Sequence, residues 1–288
     1  YEAFYKATWN AGWKDVAFFS LARISCIRSR WSDALHEVEQ ALVRNSLHAQ
    51  ALHLKTAILR NMGQTAQALS CARQTLNGDP FNFGCLFEEY LLTGEEPVLE
   101  RMKELMRGES HNYLQIARDY LKAGLYLDGI RLLEVLLAQG KEVSPLVYYT
   151  LARMRHEAGQ EEPMREALQL GAQATPDFCF PNLPDDALTL QAVLLLAPED
   201  ARAWYYLGNF WFDKRQYADA IACWERSAAL DATFPTVWRN LALARFNKQQ
   251  KAPEALECME KAFSLDASDA RVLMELDQLY KKLGHSHE

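Results

Sequence analysis

The chain lacks the residue groupings that build a metal or redox centre. Its 6 cysteines, at positions 26, 71, 85, 179, 223 and 258, form no Cys-x-x-Cys pair, and its 7 histidines are dispersed. His285 and His287 lie close together, but two histidines without a third ligand make a poor metal site. Cys71, Cys223 and Cys258 fall inside helical patterns, so the thiols are expected to be reduced and mostly buried in a cytoplasmic protein. Catalytic motifs are missing too: there is no Gly-rich phosphate loop, no His-Glu-x-x-His and no Gly-x-Ser-x-Gly. The acid pairs Glu88-Glu89, Glu95-Glu96 and Asp185-Asp186 are adjacent, so on a helix they point different ways and read as solvated charge or capping. The segment is therefore expected to have no enzymatic activity, no cofactor and no metal. Excess positive charge is absent as well. A net charge of −7 argues against nucleic acid as a partner. No apolar run approaches the ~20 residues needed to cross a bilayer, and the longest candidate is only Ala192 to Ala197. No signal peptide is visible, although the chain opens at Tyr1 without a Met and reads as a segment of something longer.

What the chain has is apolar surface and repetition. Apolar residues make up 49% of it, which excludes disorder, and 288 residues allow two domains or one extended solenoid. From Ala201, the residues Trp204, Leu207 and Trp211 share one helical face, and Tyr217, Ile221 and Trp224 form the facing stripe of a second helix. Trp238, Leu241 and Ala242 repeat Trp204, Leu207 and Gly208 one 34-residue period later, and Leu276, Tyr280 and Gly284 begin a half copy. Gly208 and Ala220 are small where two helices must approach. Each hairpin leaves one face bare, which stacking covers. This period resembles the tetratricopeptide repeat, two antiparallel helices that stack into a superhelix.

Weaker copies lie upstream. Leu21, Ala22, Trp31, Ala34 and Val38 make one, and Ala34 recurs as Ala68 in the next. Further hairpins start near Pro80, Ser110 and Ser144, the third being shortened, with Gly63, Gly94, Gly124 and Gly159 closing first helices. The period breaks at Ala174 to Asp185, where Pro176, Pro181 and Pro184 forbid a single helix, and Phe178, Cys179 and Phe180 suggest a loop pinned to the surface. One helix follows to Leu196, with Asp185 or Asp186 as its N-cap. The expected fold is all-α: a superhelical solenoid of about seven hairpins with one irregular joint. Its expected parts are a front block over 1–173, a loop and connecting helix over 174–199, and a rear block over 200–288. One extra residue between Phe246 and Ala255 is expected to bulge the loop there.

First helices of such stacks line a concave face. In the rear block that places Tyr205, Tyr206, Asn209, Phe212 and Asp213, then Arg239, Asn240, Leu243 and Asn247, then Arg271, Met274, Glu275 and Gln278 in the groove. Tyr, Phe and Met beside Asn and Arg suit recognition of a protein or peptide. Asn209 and Asn240 occupy the positions where chaperone-tail-binding repeats carry Asn, and two amides can clamp an extended backbone. The basic residues those domains need are replaced here by Tyr205 and Glu275, so the full carboxylate clamp is absent. The alternative is that both amides cap helices or bond to neighbouring side chains. In the front block Arg23, Arg60, Arg118 and Arg153 would favour an anionic partner, or else pair with Glu88, Glu89, Asp119 and Glu157. Exposed Trp9 and Trp13 allow self-association.

Longer strings are also suggestive: Phe4 to Trp13, Tyr206 to Lys214, Trp238 to Lys248 and Asp269 to Tyr280. They resemble the repeat region of large, mostly bacterial proteins with an amino-terminal domain of unknown function and a mutarotase-like β-sandwich. The resemblance implies the middle of a longer protein linked to carbohydrate metabolism, with this segment packing on its own amino-terminal part as an accessory module. It carries no catalytic residues into this region.

Overall fold

The computed structural model describes residues 1–177 and 179–284. Phe178, His285 and His287, noted above, lie outside the described residues. Among the described residues every regular element is helical. The chain divides into two compact units, residues 1–143 with 154–161, and residues 144–153 with 162–288.

The first unit opens with a short helix α1 (Glu2–Ala7). Four antiparallel pairs follow: α2 (Lys14–Ile27) with α3 (Trp31–Arg44), α4 (Ala49–Asn61) with α5 (Thr65–Gly78), α6 (Phe83–Thr93) with α7 (Glu96–Met106), and α8 (Ser110–Ala123) with α9 (Tyr126–Leu137). Helix α10 (Pro145–Glu157) gives its last turn to this unit and its earlier residues to the second, where α11 (Glu161–Gln173) follows it. The second unit continues with the single helix α12 (Pro184–Leu196), the pair α13 (Ala201–Asp213) and α14 (Tyr217–Leu230), the pair α15 (Pro235–Ala244) and α16 (Ala252–Leu265), and an unpaired α17 (Ala270–Leu283). Six antiparallel pairs are thus formed among the described residues, and α10 with α11 stands in chain order where a seventh falls, in keeping with the period.

Small residues set how the helices pair. Ala22, Ala57, Ala117 and Ala152 in first helices, and Ala34, Ala68, Ala167, Ala220 and Ala255 in second helices, are wholly buried. Their lack of bulk lets paired axes approach closely enough for the flanking large side chains to interdigitate. Gly208 goes further, since a Cβ there would stand 2.5 Å from the Trp224 ring. The links between hairpins repeat as well. The carboxylates of Asp79, Asp231 and Asp266 each accept the backbone N–H two residues on, at 3.1, 2.9 and 3.0 Å. The indole N–H groups of Trp204 and Trp238 donate to the linking carbonyls of Pro198 and Ala232, at 2.9 and 3.0 Å. These two tryptophans therefore fasten the links before α13 and α15 to the helices that follow them.

Three expectations need correction. The extra residue near Phe246 is taken up inside the helix, as a π-helical turn over Arg245–Gln249 that ends in Gln250 at φ 58°. An added residue is absorbed at less cost by widening one turn than by breaking the hairpin. Helix α12 starts at Pro184 after Leu183, and Asp186 caps it from inside the first turn by accepting from Asn182 N and Leu183 N at 3.1 and 3.0 Å. The third correction concerns the front groove. In the first unit α8 packs on both α2 and α4, so the inward faces of these helices meet protein and not an open groove.

Candidate functional site

Of the four arginines read as favouring an anionic partner or else pairing with nearby acids, three belong to the first unit, and there Arg60 and Arg23 take the pairing alternative, with Glu88 and Asp119. Arg60 donates through Nε to Glu88 at 2.6 Å and through Nη2 to Asp128 at 2.7 Å, while the Tyr120 hydroxyl donates to Glu88 at 2.7 Å. Arg23 pairs with Asp119 at 3.6 Å and lies 4.1 Å from the Phe19 ring centre, and Arg118 is buried. Glu88 is completely inaccessible to solvent, so its charge has to be answered from within the protein. Packing of α8 onto α2 and α4 makes this network and removes the surface an anionic partner would have touched. Arg153 falls in the second unit, where it donates to Thr189 at 3.2 Å.

The same network holds His53, whose imidazole packs edge-on against Tyr120 with ring centres 4.7 Å apart. Burial drives its pKa down to about 4, with Asp119 opposing and Arg60 reinforcing the shift. Burial likewise raises the Asp119 and Asp128 carboxyls above the ordinary range. These groups are committed to holding helices together.

The second unit does carry an open groove, of about 600 Å³, on the side of α13, α15 and α17. Tyr205, Asn209, Phe212 and Asp213 of α13 line it, with Arg239, Asn240 and Leu243 of α15 and Arg271 of α17. At its centre is a polar network. The Asn209 side-chain oxygen accepts from Trp224 Nε1 at 3.1 Å and from Asn240 Nδ2 at 3.2 Å. Burial raises the Tyr205 phenol, while hydrogen bonds from Asn209 and Asn240 pull it the other way. Phe212 packs on Trp224 and on Tyr217, with ring centres 5.3 and 5.2 Å apart. Arg239 is held by Glu275 through two parallel hydrogen bonds, one of 2.7 Å from Nε. Arg271 is the exposed cation of the groove, its side chain 74% accessible beside Asp269.

Other expected groove residues lie elsewhere. Tyr206 is core: its ring is fully buried against Tyr149 and Tyr205, because position 206 faces α10. Asn247 sits on the π-helical turn and donates to the Leu243 carbonyl at 2.9 Å. Glu275 serves the groove only through Arg239, and Met274 and Gln278 are exposed outside its lining. Sequence reasoning missed Thr236, Trp224 and Asp269, and also Pro176, Asp177 and Phe180 of the irregular loop. The loop's aromatics signal a pinned segment, but periodicity carries no information about where a non-repeating stretch lands.

Residues 201–234, which are α13, α14 and the link after them, match the tetratricopeptide repeat family. Among solved structures, the chain is similar to the APC/C hetero-tetramer Cut9-Hcn1 (14% identity, 96% of this chain and 58% of that chain, TM-score 0.37). It is similar also to YrrB, a tetratricopeptide repeat protein with an unusual peptide-binding site (14% identity, 84% and 97%, TM-score 0.32). A third is TTC0263, a thermophilic tetratricopeptide repeat protein of Thermus thermophilus (15% identity, 93% and 99%, TM-score 0.30). The chain thus spans 58% of the length of the first of these. A tetratricopeptide repeat is present in this chain, and repeats of that kind generally form binding scaffolds rather than catalysts. Among the described residues, no helix is long and apolar enough to cross a membrane and no cluster of His, Cys, Asp or Glu is arranged to hold a metal ion.

Proposed function

We propose that the second unit binds an extended stretch of a partner protein in the groove of α13, α15 and α17, without catalysis. The observation that carries this reading is the convergence of Tyr205, Asn209, Phe212, Arg239 and Asn240 on one open hollow. An extended peptide brings unpaired backbone N–H and C=O groups, and carboxamides answer both kinds. Here the amides are oriented in advance, since Trp224 and Asn240 fix the Asn209 oxygen, so little side-chain entropy is lost on binding. Phe212 and Leu243 supply apolar contact, and Arg271 supplies charge. The test is an affinity capture with the full chain as bait, compared with the N209A/N240A double variant. Loss of a partner from the variant at an unchanged helical circular-dichroism signal supports the reading, and equal capture by both proteins removes it.

A second reading is favoured by the amino-terminal aromatics. Trp9 and Trp13 are 75% and 62% exposed, and Tyr5 packs edge-on to Trp9. A patch of this kind suits association with a second copy. Sedimentation at several concentrations tests it, with Trp9→Ser/Trp13→Ser expected to hold the protein monomeric.

A further inference from the structure

Helix α12 joins α13 through Leu196-Ala-Pro-Glu-Asp200, much as α14 joins α15 through Leu230-Asp-Ala-Thr-Phe234 and α16 joins α17 through Leu265-Asp-Ala-Ser-Asp269. It is thus a second helix without a first. Residues 174–183 stand in the chain where that first helix would be, and Pro176, Asp177 and Phe180 reach the inner groove just as first helices do.

This loop is held in place. Cys179 is buried and its sulfur accepts from the Ser144 hydroxyl at 3.8 Å, while its backbone N–H donates to the Pro176 carbonyl at 3.3 Å. Pro181 is buried, and the Asp186 carboxylate fixes the next two backbone N–H groups. Between the two buried residues Phe180 is 74% exposed. The proline after it restricts its backbone to extended conformations, so the ring is presented and not left to wander. A large aromatic ring that remains in water on a fixed support, at the mouth of a groove, is the usual form of a recognition anchor.

We infer that Pro176, Asp177 and Phe180 of this loop form a built-in wall of the groove and that Phe180 selects ligands carrying a bulky apolar side chain next to their extended backbone. The inference rests on the peptide-groove reading above. It separates two tasks: Asn209 and Asn240 hold backbone of any sequence, and Phe180 reads a side chain.

A phage-displayed library of random twelve-residue peptides, panned on the full chain and on F180A, tests it. Selected peptides are then measured by fluorescence anisotropy against the wild type, F180A and N209A/N240A. The ring is exposed, so F180A is expected to melt with the wild type. The wild type should enrich peptides with a Phe, Tyr, Trp or Leu at one register, and F180A should bind them about tenfold more weakly while losing that enrichment. If F180A selects and binds the same peptides equally well, while N209A/N240A loses them, the role of Phe180 is refuted and the groove reading survives. If no peptide is enriched, or binding is indifferent to all three residues, the groove reading itself fails and takes this inference with it.

Discussion

The Asn240 side chain donates to Asn209 at 3.2 Å, so the two amides placed to grip a partner first hold each other. Asn209 is the more committed, since Trp224 Nε1 also donates to it at 3.1 Å. Trp224 keeps a second acceptor, the Tyr205 carbonyl at 3.2 Å, when that oxygen is removed. N240A is therefore expected to cost well under 1 kcal/mol of stability, and N209A about 1 kcal/mol, as for loss of one ordinary hydrogen bond whose donor retains a partner. Urea unfolding of both single variants checks this. A loss near 3 kcal/mol in either would mean that the pair is mainly structural.

Arg60 is a different case, because its partners are hidden. It answers Glu88, which is inaccessible, and Asp128. Removing it leaves two buried carboxylates without their cation, so Arg60→Ala is expected to destabilise the first unit by about 3–5 kcal/mol. Arg73 pairs with Glu89 at 2.7 Å; Glu89 is buried too, but Arg73 is about half exposed and answers one carboxylate where Arg60 answers two. Arg73→Ala should therefore lose clearly less stability than Arg60→Ala. Parallel denaturant titrations would expose the contrast, and equal midpoints for the two variants would contradict it.

These two cases mark where sequence reading succeeds and where it stops. The small residues at helix crossings, the turn glycines and the recurring Trp204 and Trp238 act locally, within one hairpin or its link, so their spacing declares their role. The groove positions on α13 and α15 follow from the same period. The pairing of Arg60 with Glu88 is one of the two alternatives its sequence position offers. The burial of that pair is not legible, because Arg60, Glu88 and Asp128 come together from α4, α6 and α9, a long-range packing that no period encodes. Tyr206 misses the groove by one helical step: it is adjacent to Tyr205 in sequence, but about 100° further round the helix it meets Tyr149. Phe180 is out of reach because a loop without a repeat has no register to read.

His53 gives the first unit a pH dependence whose sign can be worked out. Its pKa falls from 6.5 to about 4 on folding, chiefly through burial. Between those values the unfolded chain binds the proton and the folded one does not, so lowering the pH favours unfolding. The stabilisation is complete above 6.5 and is lost as the pH falls toward about 4. From pH 7.5 to 5 this amounts to about 2 kcal/mol. Asp119 and Asp128, raised by burial, act in the opposite sense, since they are protonated more readily when folded. The comparison of wild type with His53→Leu isolates the imidazole. The variant should lose about 2 kcal/mol less than the wild type over that range, and parallel pH profiles would show that His53 does not titrate on unfolding.

Gly208 couples stability to the groove. A Cβ at this position would meet Trp224 Cδ1 and Nε1 at 2.5 Å and the Ala220 carbonyl at 3.1 Å, so the α13–α14 crossing has no room for it. Glycine costs a helix interior roughly 1 kcal/mol relative to alanine, which would favour Gly208→Ala on backbone grounds alone. Overpacking a crossing costs about 1–3 kcal/mol and should outweigh that gain, for a net loss of about 1–2 kcal/mol. The displaced indole is also the group that orients Asn209, so partner capture should weaken along with stability. Gly78, in α5, has nothing within 4 Å of its missing Cβ, and Gly78→Ala is expected to leave the protein as stable as before or slightly more so. Thermal unfolding of the two variants together decides the matter: if Gly208→Ala gains stability as Gly78→Ala does, the close approach of α13 and α14 is not what the glycine is for.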